Sequence, residues 1–210
     1  MRVWEIGPAQ VMVVGTFGDL EIHHHPAVQI GVGLMGPLTV RTDGAAPRSG
    51  HVVVIASGAG HAVRSEPTDV TLAFYLAPHT WPGTALHTRA LSESGDGIWL
   101  PEGGPALAQR VADAYDADPE LAAAALIDHL CGDPREQPGL HPQLRQALDL
   151  IYSGTTESVD LASVAHEVAV SPDYLGRLCR QQTGVSFSAA TRWARLLSGL
   201  KHLAGGEQVT

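Results

Sequence analysis

Residues 158–183 read Ser-Val-Asp-Leu-Ala-Ser-Val-Ala-His-Glu-Val-Ala-Val-Ser-Pro-Asp-Tyr-Leu-Gly-Arg-Leu-Cys-Arg-Gln-Gln-Thr, and two short helices with a tight turn are written in them. Leu161, Val164, Ala165 and Val168 fall at i, i+3, i+4 and i+7, one apolar stripe of a helix, and Asp160 stands where it can cap the first amides. The stripe stops at Ala169-Val170-Ser171. Ser171 then caps a second helix whose first position is Pro172, where a missing N–H costs nothing.

The second helix has two unlike faces. Leu175, Leu178, Cys179 and Gln182 form an inward stripe; Asp173, Gly176, Arg177 and Arg180 form an outward one. Ala165 and Ala169 are small where two steeply crossing helices would touch, and Val170 can fill the turn. This is the pattern of a helix-turn-helix, whose second helix enters the major groove of DNA. The alternative is a helical hairpin with a charged solvent face. His141–Tyr152, with Leu144, Leu148 and Ile151 inward, supplies the third helix of such a core. Thr183-Gly184 ends the reading helix. A long helix capped by Ser186 then runs to about Leu203, lined by Phe187, Ala190, Ala194, Leu197 and Leu200, and Gly205-Gly206 ends it.

Charge is divided along the chain. Of the net −9, residues 1–140 hold seven Lys/Arg against sixteen Asp/Glu, whereas 141–210 hold six of each. Pro172 to Leu203 carries five bases, Arg177, Arg180, Arg192, Arg195 and Lys201, and one acid, Asp173. A local patch of this kind, rather than global charge, attracts phosphates.

Ahead of this region the chain reads as short strands broken by Gly, Pro and Asp: Val11–Val14, Val28–Leu34, Leu38–Thr42, Val52–Ile55 and Val70–Leu76. Close spacing of many short strands predicts a sandwich or barrel. Ala77–Gly83 reads as irregular. Pro105–Asp116 and Pro119–Cys131 read as a helical pair that either makes a dimer contact or covers the barrel. Gly132–Gly139 has the composition of a linker. The expected organisation is a barrel over 1–90, a helical dimerisation segment over 91–131, a linker over 132–140 and a DNA-binding domain over 141–210. Cys131 and Cys179 make neither a disulfide framework nor a thiol-metal spacing. The N-terminus lacks the layout of a signal peptide, and no apolar run is long enough to span a bilayer. A cytoplasmic chain with no membrane partner is the expectation.

On a strand, His23 and His25 of His23-His24-His25 point to one side with Gln29; His24 faces the other way. The spacing Gly18…His23-x-His25…Gln29…Gly36, followed by Gly50…Ala56-Ser57-Gly58…His61…Ser65, resembles the two motifs of cupin barrels. Gln29, Ala56 and Ser65 stand where those motifs have Glu, Pro and Asn. In metal-binding cupins the matching positions hold an ion, so the resemblance implies His23, His25, Gln29 and His61 as candidates. Imidazole nitrogens suit zinc, iron, nickel or copper, although the anionic ligand is gone. The same set also suits a small organic effector, or inert polar filling of the interior.

Together the two halves resemble the AraC/XylS family of bacterial transcription regulators. Leu161, Ala165, Ser171, Leu175, Arg177 and Thr183-Gly184 match its signature, with Cys179 in place of a phenylalanine. The resemblance implies a two-domain protein: an N-terminal all-β cupin-like barrel with appended helices, and a C-terminal all-α helix-turn-helix. It further implies a homodimer that binds double-stranded DNA and a small-molecule effector, and that is not an enzyme. Asp173, Gly176 and Arg177 fall at base-facing places, and Arg180, Arg192 and Arg195 near the phosphates. A second helix-turn-helix is implied after the connecting helix; Glu207–Thr210 stand where it would begin, so the chain reads as truncated. The rival readings are a metal-dependent cupin enzyme and a dimerising interaction protein that does not touch DNA.

Overall fold

The computed structural model describes residues 1–7, 9–18, 21–132, 139–153 and 160–204, with side chains to residue 199. Most of the expected linker, the glycines at 205–206 and the side chains of Leu200 and Lys201 lie outside these residues.

Among the described residues nine strands form two sheets. In chain order they are β1 (Arg2–Gly7), β2 (Gln10–Gly15), β3 (Val28–Gly33), β4 (Leu38–Arg41), β5 (Arg48–Gly50), β6 (Val52–Ile55), β7 (Ala62–Arg64), β8 (Thr71–Leu76) and β9 (Ile98–Trp99). The larger sheet has the order β1-β2-β8-β3-β6-β9 and the smaller β5-β4-β7; every pairing is antiparallel. Among the described residues neither sheet closes on itself, so the expected barrel is corrected to an open sandwich whose larger sheet ends at β1 and β9.

Strand alternation gives the large sheet two faces. The register aligns Met12, Phe74, Ile30, Val54 and Trp99 in one row across the sheet. These residues pack with Leu86 of α1 (Trp81–Glu93), Leu107 and Val111 of α2 (Gly104–Ala114), and Leu126 and Leu130 of α3 (Pro119–Cys131). The helical pair therefore covers the sheet. The expected boundary at residue 90 lies inside α1, and β9 returns to the sheet edge, so strands and helices share one core.

α1 replaces the irregular stretch expected at its start. Thr80 Oγ1 accepts from Gly83 N at 3.2 Å, and Pro82 sits in the first turn, where proline belongs. Gly83 is there because a Cβ would lie 2.1 Å from the Ala77 carbonyl oxygen; it permits a close approach rather than breaking the helix.

The opposite row of the sheet is Val11, Tyr75, Gln29, Ile55 and Ile98. At one end, Ile55, Ile98 and Val53 pack on Leu38 and Val40 of the small sheet. At the other, Val11 and Val13 pack on Trp193 and Leu197 of the C-terminal helix α7 (Phe187–Ala204). A helix of the C-terminal part thus covers the ground that a closed barrel would cover with strands.

The C-terminal helices are α4 (Pro142–Tyr152), α5 (Leu161–Glu167), α6 (Pro172–Thr183) and α7. Their core holds Leu144, Leu148, Ile151, Val164, Ala165, Val168, Leu175, Leu178, Cys179, Phe187, Ala190 and Ala194. Asp160 Oδ1 accepts from Ala162 N and Ser163 N, both at 2.9 Å, and Ser171 Oγ accepts from Tyr174 N at 3.2 Å. Gly184, at φ +75°, caps the end of α6. Between α5 and α6, Ala169 is not at the helix crossing but exposed in the turn, at φ +56°. Val170 N donates to the Ala165 carbonyl at 2.9 Å, which closes the turn and tucks Val170 partly under the core.

This unit is docked on the first. Besides α7, the Gly58 loop meets the Gly184 cap, and His79 meets Tyr152 of α4 with ring centroids 4.6 Å apart. Among the described residues no helix is long and apolar enough to cross a membrane.

Candidate nucleic-acid interface and histidine cluster

Two sites emerge, on opposite sides of α7. The first is a groove of about 640 Å³ between α6 and the N-terminal half of α7. Asp173, Gly176, Arg177, Arg180, Arg192 and Arg195 all line it. The four arginines are exposed, and among the described residues none has a carboxylate within ion-pair distance. Side chains in this state are available to an external anion, and four guanidinium groups around one concavity produce a positive surface on an otherwise acidic chain. Asp173 is exposed at the first turn of α6, where its charge complements the helix dipole. Gly176 approaches α5: a Cβ there would lie 3.7 Å from Leu161 Cδ2. It sits at the base of the groove, close to the helix crossing.

The second site is built on the sheet row that contains Gln29. His23 and His61 form an antiparallel bridge, with both N···O distances 2.9 Å, so their rings stand beside each other with centroids 4.6 Å apart. His25 lies 5.0 Å from His61 and 5.9 Å from His23, centroid to centroid. One nitrogen from each of the three rings falls within 4.8 Å of the others.

The backbone fixes the tautomers. Nδ1 of His23, His25 and His61 lies 3.0, 3.1 and 2.9 Å from the carbonyl oxygens of Glu21, Ala27 and Ala59. A carbonyl only accepts, so each Nδ1 carries a proton and each neutral ring keeps a lone pair on Nε2. The Gln29 amide lies 2.9 Å from His25 Nε2 and 3.2 Å from His61 Nε2. Its oxygen stands at those distances, but two acceptors cannot bond; with the amide turned, its NH2 donates one hydrogen to each ring. Burial holds both rings neutral, lowering His25 and pushing His61 down to about 4, with the Ala59 carbonyl opposing the second shift. His23 and His24 are both exposed and His25 is buried; the segment is not a strand beyond the single His23–His61 bridge.

The cluster borders a cavity with only about 30 Å³ of open space, lined also by Ser65, Thr71 and Tyr75. The hydroxyls of Ser65 and Thr71 are buried there without a hydrogen-bond partner among the described residues. Trp193 is the residue that sequence reasoning missed. Its indole stacks on His25 at 5.1 Å and 23°, and meets the Tyr75 ring edge-on at 5.4 Å. The signal was present: Trp193 and Leu197 form a second apolar i, i+4 pair beside the Phe187, Ala190 and Ala194 stripe, the mark of a helix buried on two sides.

No protein family and no curated protein matches this chain by sequence. Solved structures do. A ToxT variant from Vibrio cholerae strain SCE256, in its apo form, superposes with a TM-score of 0.59 at 11% identity, over 97% of this chain and 86% of that one. Wild-type ToxT with a bound unsaturated fatty acid gives 0.52 at 11% identity, over 98% and 85%. The AraC-like transcriptional activator CuxR gives 0.42 at 10% identity, over 95% and 80%, which is too loose to carry an argument. At these identities the likeness to ToxT is one of fold: a β-rich N-terminal part followed by the helical C-terminal part, in one arrangement.

Proposed function

We propose that the chain is a transcription regulator that binds double-stranded DNA through the α6–α7 groove and responds to an occupant of the histidine cluster. The observation that carries this reading is the convergence of Arg177, Arg180, Arg192 and Arg195 on one exposed groove. The ToxT-like fold supports it, ToxT being an AraC-family regulator. Arg177 takes guanine O6 and N7 with two hydrogen bonds; Arg180, Arg192 and Arg195 take phosphates. The test is fluorescence anisotropy with duplexes selected from a random pool. Arg177→Ala weakens the preferred duplex by about 5- to 150-fold, the worth of one bidentate base contact, and random duplex much less. Equal losses on both duplexes overturn the base-reading role. No duplex binding even at low salt overturns the reading as a whole in favour of an interaction protein.

For the occupant we propose a divalent transition-metal ion: zinc, iron or nickel. Three imidazoles bring their nitrogens together, and each Nδ1 is tied to a backbone carbonyl, the outer support that metal-bound histidines ordinarily have, which leaves Nε2 for an ion. Gln29 turns its amide oxygen inward as a neutral fourth donor. Zn–N bonds of about 2.0–2.1 Å at tetrahedral angles place two nitrogens about 3.3–3.4 Å apart, so nitrogens that now lie within 4.8 Å of one another close by up to about 1.4 Å. The ion supplies positive charge and a fixed coordination that draws the rings together. The cavity holds about one water-sized group, with the Ser65 and Thr71 hydroxyls as partners. An organic effector the size of the fatty acid seen in ToxT has no room here while α7 is docked. Stoichiometric zinc retained after dialysis, and lost in His61→Ala, is the expected result; no retention of zinc, iron(II) or nickel refutes it.

A further inference from the structure

Helix α7 belongs to three environments at once. Phe187, Ala190 and Ala194 are in the helical core, Arg192 and Arg195 line the groove, and Trp193 and Leu197 lie on the sheet. Trp193 does not merely fill space on that sheet. Its ring is held by His25 on its face and Tyr75 at its edge, and its Nε1–H is buried with no hydrogen-bond partner among the described residues. An indole docked without its hydrogen bond relies on ring contacts, so its position depends on where the His25 plane is held. That plane is set from the other side by the Nε2 contact to Gln29 and by the neighbouring His61.

We propose that Trp193 couples occupancy of the histidine cluster to the docking of α7 on the sheet. This rests on the reading of the cluster as a metal centre. With an ion on Nε2, the His25 ring can no longer swing, and its face becomes electron-poor opposite the electron-rich indole. Occupancy therefore favours the docked arrangement. By linkage, docking tightens the ion by the same factor. Arg192 lies next to Trp193 in sequence and Arg195 two residues beyond it, so release of Trp193 from the sheet moves the groove relative to the N-terminal part.

The test uses the full chain, stripped with a chelator and titrated with zinc against a chromophoric competitor, with hydrogen exchange followed by mass spectrometry. Zinc is expected to slow exchange in α7 around residues 190–199 as well as in the segments around His23, His25 and His61. Trp193→Ala is expected to weaken zinc by about 2- to 12-fold, the span of one aromatic pair, and to abolish the zinc-dependent slowing in α7. Trp193→Phe, which keeps a flat ring, restores most of both. Zinc binding to the wild type without any change in α7 exchange overturns the coupling and leaves the metal centre standing. Wild type that binds neither zinc, nickel nor iron(II) removes the metal centre and the coupling together. The wild-type exchange measurement decides the matter even if the alanine variant fails to fold.

Discussion

His79 gives the seam between the two parts a pH dependence that can be worked out. It follows β8, is 5% exposed, and lies against Tyr152 of α4. Its Nδ1 is buried without a partner among the described residues, and its Nε2 is 3.8 Å from Asp149 Oδ1, too far for a hydrogen bond. Burial, with a smaller push from Arg145, holds its pKa down at about 4 against 6.5 for a free imidazole. Asp149 is largely exposed, so water screens the attraction it would offer a protonated ring. The folded chain therefore resists a proton that the unfolded chain accepts below pH 6.5. Between these pKa values the unfolded state binds more protons, so stability falls as pH falls. The loss is about 2 kcal/mol by pH 5 and approaches about 3 kcal/mol below pH 4. Metal-free wild type and His79→Leu, unfolded with urea at pH 7.5, 6.5, 5.5 and 5.0, provide the assay. His25, His61 and His87 are also lowered by burial and add the same sign to both proteins, so the difference between the two curves isolates His79. The wild type should lose about 2 kcal/mol more than the variant from pH 7.5 to 5.0. Parallel curves would refute the claim that His79 is buried neutral in this seam.

Two further outcomes concern the backbone. Ala169→Gly removes the left-handed penalty of the α5–α6 turn, where the residue is exposed at φ +56°, and should stabilise by about 1 kcal/mol in a urea melt; a loss of stability would mean the turn does not hold that conformation. Gly33→Ala should destabilise by on the order of 2–3 kcal/mol, because its Cβ would lie 1.9 Å from the Gly36 carbonyl oxygen. An unchanged midpoint would show that the β3–β4 turn is placed differently.

The helical half was legible because its signals are local. Ser171, Pro172 and Gly184 mark the ends of α6 by chemistry that acts within one turn, and the inward residues repeat at helical spacing. The five strands named from sequence are present for a similar reason, since β-branched runs between turn residues specify extended chain. Strands β1, β5, β7 and β9 were not marked out, β9 being two residues long and β5 reading Arg-Ser-Gly; their pairing is decided by neighbours far along the chain. Closure is the clearest case. Cupin-like spacing of His23, His25, Gln29 and His61 does bring those residues to one cluster, yet it says nothing of whether β1 meets another strand edge. That outcome turns on Val11 and Val13, whose partners proved to be Trp193 and Leu197, about 180 residues away. A strand's periodicity shows that a face is buried, not what buries it.

The same substitution of helix for strand has a mechanical consequence. In a closed barrel, the wall of the pocket and the outer helices are separate layers, and a ligand acts on the rest of the protein only through the barrel. Here Trp193 is both the wall beside His25 and a residue of the helix whose opposite side holds Arg192 and Arg195. Helices transmit displacement along their length because each turn is hydrogen-bonded to the next. A rigid rotation that lifts Trp193 by even a fraction of a turn also alters how Phe187, Ala190 and Ala194 seat in the helical core. The core tolerates such shifts poorly, since close-packed interiors change between discrete arrangements rather than deforming gradually. On the proposed coupling, release of Trp193 would therefore move α7 between two docked positions rather than along a continuum, and occupancy of the histidine cluster would bias the choice.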